Sequence, residues 1–280
     1  MSSDSKKHCF NIPTIESETI ESLSAKLLNT TEELRAANKA LQRVQKEREE
    51  MLSNISHDLR APITAIRSAL DYLNTRNEVT IEDYKNTLAL IDRRTSTLED
   101  LIYDMYYLFC VEDTSKEFKL TELDAVPFLE EYFYDTLADS RFSTHEMNIN
   151  IDPQLNCRIH VDTQKLVRVL DNLFSNASKY TPADSSITLE AWLSQTAGDS
   201  GTKLFIAVTD NGPGIPEEAL PHIFNRTYTV SSARTPGTVS GSGLGLAIVK
   251  AIMERHGGNA TCSSARGKGC RFTLCLPAYT

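Results

Sequence analysis

"SHDLRAPIT", residues 56–64, places a histidine, an acid, an arginine and a proline within six positions. Apolar residues on this stretch and beyond it recur at helical spacing: Leu59, Ile63, Ile66, Leu70 and Leu73. His57 and Asp58 lie off that stripe, so the pattern predicts a helix that carries its histidine on the outer surface. Pro62 has no N–H to give to the carbonyl of Asp58, so a bend is expected beside His57. A histidine on a helix is most often a solvated surface residue, and nine residues alone decide nothing about it.

Upstream the same periodicity becomes a heptad. Ile20, Leu27, Leu34 and Leu41 are seven apart, and Leu23, Thr30, Ala37 and Val44 each follow three later. No Gly or Pro interrupts them, so residues 16–50 read as a coiled-coil helix that implies a partner chain, after an irregular start at 1–15. From Met51 to Ile63 every step is four, a stutter that shifts the phase of the seam around His57.

Downstream, "NTRNEVT", residues 74–80, is a turn, and Thr80 with Asp83 has capping-box spacing. Tyr84, Leu88, Ile91, Thr95, Leu98, Ile102, Met105 and Phe109 then step by four and three. Two such helices form a hairpin that cannot bury both seams alone, whereas two hairpins make a four-helix bundle. Residues 51–112 therefore read as a dimerisation module, and the polar stretch 113–122 as a linker.

From 123 to 280 the pattern mixes helices and strands, which suggests a sandwich of one sheet layer and one helix layer. The chain as a whole is assigned to the α+β class. Three segments of this half hold polar or glycine-rich chemistry. "DNGPGIP", residues 210–216, closes a strand, with Asp210 placed to accept from an amine and Gly212 and Gly214 allowing a close approach or a plain turn. "GSGLGLAIVK", residues 241–250, runs from glycines into a helix whose first N–H groups suit a phosphate. It does not read as a Rossmann fingerprint, because no strand precedes it at the start of a domain. "DNLFSNASKYT", residues 171–181, sets Asn172 and Asn176 one turn apart, where buried amides could cap a loop or offer an oxygen to Mg²⁺.

Composition narrows the rest. A net charge of -9 argues against a general nucleic-acid partner. Cysteines 9, 110, 157, 262, 270 and 275 make no Cys-x-x-Cys pair, and scattered thiols fit a cytoplasmic setting. No run reaches membrane-span length, and the polar first residues do not resemble a signal peptide.

"SHDLRAPIT", "DNLFSNASKYT", "DNGPGIP", "IFNRTY" and "GSGLGLAIVK" occur in the order found in the sensor histidine kinases of two-component systems, and "HGGNATCSSARGKGCRFTLCLP" resembles the closing hairpin of that family's ATP domain. The resemblance spans residues 45–280. It implies a Bergerat-type ATP-binding domain over 123–280 and a histidine phosphotransfer function for the 51–112 module. It further implies that His57 is phosphorylated from ATP with Asp58 assisting, and that the phosphoryl group passes to an aspartate in the receiver domain of a response regulator. By the same resemblance Asp210 holds the adenine amino group, Gly212 and Gly214 shape its pocket, and Asn176 ligates Mg²⁺ beside Asn172, Lys179 and Tyr180. Gly241, Gly243, Leu244 and Gly245 frame the triphosphate, and residues 226–240 form a lid. A homodimer without a membrane span in this chain is expected. His256, next to Gly257, reads as a structural helix end. Two competing readings are a stand-alone Bergerat-type ATPase and a non-catalytic dimeric scaffold; either leaves part of the motif set unexplained.

Overall fold

The computed structural model describes residues 15–76, 78–195, 201–226, 228 and 243–279. The chain divides into two units, Met1–Asn54 and Ile55–Thr280. Helix α1 spans Ile15–Thr75. Within the first unit the predicted heptad residues Ile20, Leu27, Leu34 and Leu41 lie along it, each more than three-fifths exposed. The described residues leave this apolar stripe bare.

In the second unit, helix α2 (Ile81–Glu112) follows the turn. The capping box forms as its spacing predicts: the Thr80 hydroxyl accepts from the Asp83 N–H, and the Asp83 carboxylate accepts from the Thr80 N–H. The residues buried within the chain fall at multiples of seven, Ile55, Pro62 and Ala69 on α1 and Thr87, Leu101 and Leu108 on α2, with Val111 added at the end of α2. That column is offset from the apolar seam of the sequence pattern. On the seam, Ile63, Leu88 and Ile102 are 51%, 55% and 48% exposed. Pro62 thus belongs to the column closed inside the chain, and the bulkier seam residues are left for a second surface. α1 continues as a helix through Pro62.

The rest of the second unit is a sandwich. Strand β1 (Thr121–Asp124) pairs antiparallel with β3 (Arg158–Val161) in a two-stranded sheet. β1 thus starts inside the stretch read above as linker. Helix α3 (Ala125–Leu137) and strand β2 (Glu146–Ile151) lie between them in the chain. Helix α4 (Thr163–Tyr180), strands β4 (Ser186–Gln195) and β5 (Thr202–Asp210), helix α5 (Gly245–Arg255) and strands β6 (Asn259–Ser264) and β7 (Cys270–Pro277) complete it. The main sheet has the order β2-β4-β5-β7-β6, with only the β2–β4 pair parallel.

Alternation puts Leu204, Ile206 and Val208 of β5 and Phe272, Leu274 and Leu276 of β7 on the face covered by helices. α4 meets it with Leu166, Val169, Leu170, Leu173, Phe174 and Ala177, an i, i+3, i+4, i+7 stripe. Each of the buried leucines contributes about 2 kcal/mol. α4 starts at Asp162, whose carboxylate accepts from the Lys165 N–H, and stops at Thr181, held extended before Pro182.

The same Asp162 ties the layers together. Its N–H donates to His256 Nε2 at 2.9 Å, while His256 Nδ1 lies 2.8 Å from the Ile252 carbonyl and so carries the ring proton. Burial holds the His256 pKa down. His256 is a neutral structural histidine at the end of α5, as the sequence suggested.

The sandwich also grips α2. The Arg255 guanidinium donates to the carbonyls of Val111, Asp113 and Lys116 at 2.8, 3.2 and 2.6 Å and lies over the Phe118 ring at 4.0 Å. Arg168 of α4 pairs with Asp104 between Tyr103 and Tyr107, and Arg226 pairs with Glu112.

The exposed seam predicts that the protein is a dimer in solution. Leu98→Asp puts a carboxylate on that seam at a cost of about 3 kcal/mol, which should weaken dimerisation more than a hundredfold. Light scattering of the native protein and the variant across a concentration series checks this; a native monomer contradicts it.

Candidate functional site

On α1, His57 projects into solvent with its side chain 71% exposed. Its Nδ1 lies 3.2 Å from the Asp58 carboxylate. With the proton on Nδ1 donated to Asp58, the lone pair sits on Nε2, which points away from the acid. Arg60 and Ala61 are exposed on the next turn.

A second cluster gathers at one end of the sandwich, where β5 runs out. Asp210 is only 8% exposed. Burial raises its carboxyl pKa, and the backbone N–H groups of Gly212 and Cys270 oppose that rise. The Gly212 N–H donates to Oδ1 at 2.9 Å. A Cβ on Gly212 would lie 2.6 Å from Thr181 Cγ2, so the loop passes against the end of α4 with no room for a side chain. Gly214 has φ of +71°, and a Cβ there would strike the Ala265 carbonyl oxygen.

α4 brings the amides. Asn172 donates to the Arg168 carbonyl at 2.9 Å, and a Cβ on Gly245 would come within 2.8 Å of its Oδ1. The first turn of α5 therefore sits directly against Asn172. Asn176 follows one turn later and is half-buried. Its amide makes no hydrogen bond among the described residues, and its carbonyl oxygen is the ligand type Mg²⁺ accepts, so a metal ion fits the donor set. Lys179 lies on the same face, with its ammonium 5.0 Å from the Tyr180 ring. Burial lowers its pKa to about 8. α5 begins at Gly245 without a side-chain cap, after Gly243 at φ of +67° and Leu244. Such a helix start attracts an anion.

Asp210 and Gly212 thus meet α4 at Thr181 and Gly245 meets it at Asn172, with Asn176 and Lys179 on α4 between those two contacts. Gly241 and, of the expected lid, residues 227 and 229–240 lie outside the described residues. Sequence reasoning read the closing hairpin but missed that its turn, residues 264–270, closes against the Asp210 loop; the glycines at 267 and 269 were the visible signal. It also missed Thr181, whose methyl closes on Gly212.

Two family models match the chain: the His Kinase A (phospho-acceptor) domain over residues 47–113, and the histidine kinase-, DNA gyrase B- and HSP90-like ATPase over residues 161–280. The chain belongs to the sensor histidine kinases of two-component systems. Sensor histidine kinase WalK of Bacillus subtilis is 30% identical over 96% of this chain, which spans 41% of that relative. Sensor protein kinase WalK of Staphylococcus saprophyticus is 30% identical over 84% of this chain and 37% of its own length. The chain therefore spans less than half the length of these relatives. Among solved structures, full-length ShkA in complex with AMPPNP is 26% identical, with a TM-score of 0.57 over 82% of this chain and 46% of that one. ThkA, solved in complex with the response regulator protein TrrA, shares the fold at a TM-score of 0.62 and 24% identity, covering 83% of this chain and 64% of that one. No helix among the described residues is long and apolar enough to cross a membrane.

The lowered Lys179 pKa yields two effects of opposite sign. Its charge is lost as pH rises through about 8, so affinity for a triphosphate should fall above that pH. The folded pKa lies below the unfolded one, so the unfolded state holds more protons between the two and stability should rise there with pH. Lys179→Met should flatten both dependences; nucleotide titrations and melting curves from pH 6.5 to 10 check this.

Proposed function

We propose that this chain is an ATP-dependent protein histidine kinase that acts as a homodimer and phosphorylates itself on His57. The observation that carries the reading is the pairing of two separate features: an exposed histidine oriented by a neighbouring carboxylate, and a buried Asp210 enclosed by a glycine-rich loop. The family assignment of both regions supports it, as does the AMPPNP-bound relative.

In this reading Asp210 accepts from the adenine amine, Gly212 and Gly214 shape its pocket by letting the loop close on α4 and on the 264–270 turn, and Gly241, Gly243, Leu244 and Gly245 frame the triphosphate. Asn176 holds Mg²⁺, with Asn172, Lys179 and Tyr180 beside it. The bound metal ion offsets phosphate charge. His57 Nε2 attacks the γ-phosphorus, a P–N bond forms as the bond to ADP breaks, and Asp58 stabilises the proton and the charge that develops on the ring. The phosphohistidine then donates its phosphoryl group to an aspartate of a response regulator. Residues 16–50 act as a coiled coil and 51–112 as the dimerisation and phosphotransfer domain, joined by a linker to the catalytic domain ending at 280. A cytoplasmic setting fits the free thiols at Cys110, Cys157, Cys262, Cys270 and Cys275.

Incubation with γ-labelled ATP tests this. The label should be acid-labile and alkali-stable, and His57→Gln should abolish it while nucleotide binding persists. Asp210→Ala and Asn176→Asp should lose binding with His57 intact. Phosphate release without label on the protein, or an unchanged label in His57→Gln, overturns the reading.

Ala61 lies one turn beyond His57, where a methyl group can neither donate to a water nor accept from one. We therefore expect weak hydrolysis of the phosphorylated regulator. With ADP present, the native protein should leave the regulator's own dephosphorylation rate unchanged, and Ala61→Thr should raise it with autophosphorylation retained. Strong stimulation by the native protein refutes the expectation.

A further inference from the structure

The β6–β7 turn holds contacts that the nucleotide reading does not use. The Ser264 hydroxyl accepts from the Ile215 N–H at 2.8 Å and donates to the Gly269 carbonyl at 2.6 Å. It therefore bridges the end of the "DNGPGI" loop to the far side of the turn. The Gly267 N–H donates to the Pro213 carbonyl at 2.6 Å, a second bond between the same two segments. The backbones interlock without side chains: a Cβ on Gly214 would lie 2.1 Å from the Ala265 oxygen, and one on Gly269 would lie 1.9 Å from the Asp210 oxygen. Gly269 and Gly214 have φ of +76° and +71°. Asp210 and Cys270 are register partners where β5 meets β7, so the turn begins at the acid.

We infer that Ser264 is a positioning residue for adenine recognition: its hydroxyl, by holding the 264–270 turn against the 210–215 loop, fixes where the Asp210 carboxylate points. Among the described residues the Asp210 carboxylate accepts from both segments, and this hydroxyl is a second side-chain link between them, accepting from one and donating to the other. Its removal leaves the Ile215 N–H and one Gly269 carbonyl contact unmade in a half-buried place. The loop then gains freedom at the point where the acid must meet an exocyclic amine in a fixed direction. This inference rests on the assignment of Asp210 to the adenine.

The test compares ATP with purine riboside triphosphate, which lacks the 6-amino group. Ser264→Ala and Ser264→Val remove the hydroxyl, and Ser264→Thr keeps it in the shape of valine. Native protein and Ser264→Thr should prefer ATP. Ser264→Ala and Ser264→Val should bind ATP about tenfold more weakly, the size of one lost hydrogen bond, and bind the two nucleotides about equally. The ATP concentration for half-maximal labelling of His57 should rise by the same factor while the maximal labelling rate stays within about twofold, because the phosphate end is untouched. Unchanged ATP affinity and preference in Ser264→Ala overturn the inference. So does a variant that loses affinity for both nucleotides equally, or one that fails to fold while Ser264→Thr folds, since either makes the hydroxyl merely structural. Asp210→Ala, run in parallel, separates the two levels: if it still binds ATP like the native protein, the adenine assignment itself has failed.

Discussion

A carboxylate buried at the end of a strand is expensive, and much of the catalytic half is arranged around that fact. Asp210 is pushed toward its neutral form by burial and pulled back by the N–H groups of Gly212 and Cys270. Those donors come from the two chain segments that must close on it. For the segments to reach the acid, the backbone must pass where a Cβ would collide, which is why glycine stands at 212, 214 and 269. The acid, the glycines and the two loops are therefore one unit, and a change in any of them moves the others.

A second constraint joins this unit to the helices. α4 carries its apolar stripe into the sheet and turns a polar face outward, so Arg168, Asn172, Asn176 and Lys179 fall on one side. One turn of that face reaches α2 through Arg168 and Asp104, while the next turns face α5 and the site. Arg255 and Phe118 fasten the other end. The Arg255 guanidinium satisfies the Val111 carbonyl in the last turn of α2, where no helical N–H follows to reach it. The helix that presents the site residues is thus the same one that meets the hairpin.

The hairpin itself separates two tasks by column. Small or constrained residues such as Pro62, Ala69 and Thr87 are closed within the chain, while Ile63, Leu70, Leu88 and Ile102 of the seam stay exposed. His57 lies on neither column. Its reactivity is therefore not coupled to burial, and Asp58 supplies orientation locally.

By itself the sequence determined the helices, their periods and the capping box at Thr80, because these depend on residues within a few positions of each other. It also marked His57, Asp58, the asparagines of α4 and the Asp210 loop, since motif order is a local property repeated along the chain. The two columns of the hairpin were harder to separate. Period alone shows a seam running through Ile55, and only burial shows that Ile55 is closed inside the chain with Pro62 and Ala69, which the pattern left off that seam. The first half of β1 was read as linker because a four-residue strand is too short to show an alternating pattern. The role of Ser264 and of the 264–270 turn was decided by the tertiary structure alone. Its contacts join residues about fifty positions apart, and what makes them fit is the positive φ of Gly214 and Gly269 and the absence of a Cβ facing another backbone, which the letter G does not distinguish from an ordinary turn.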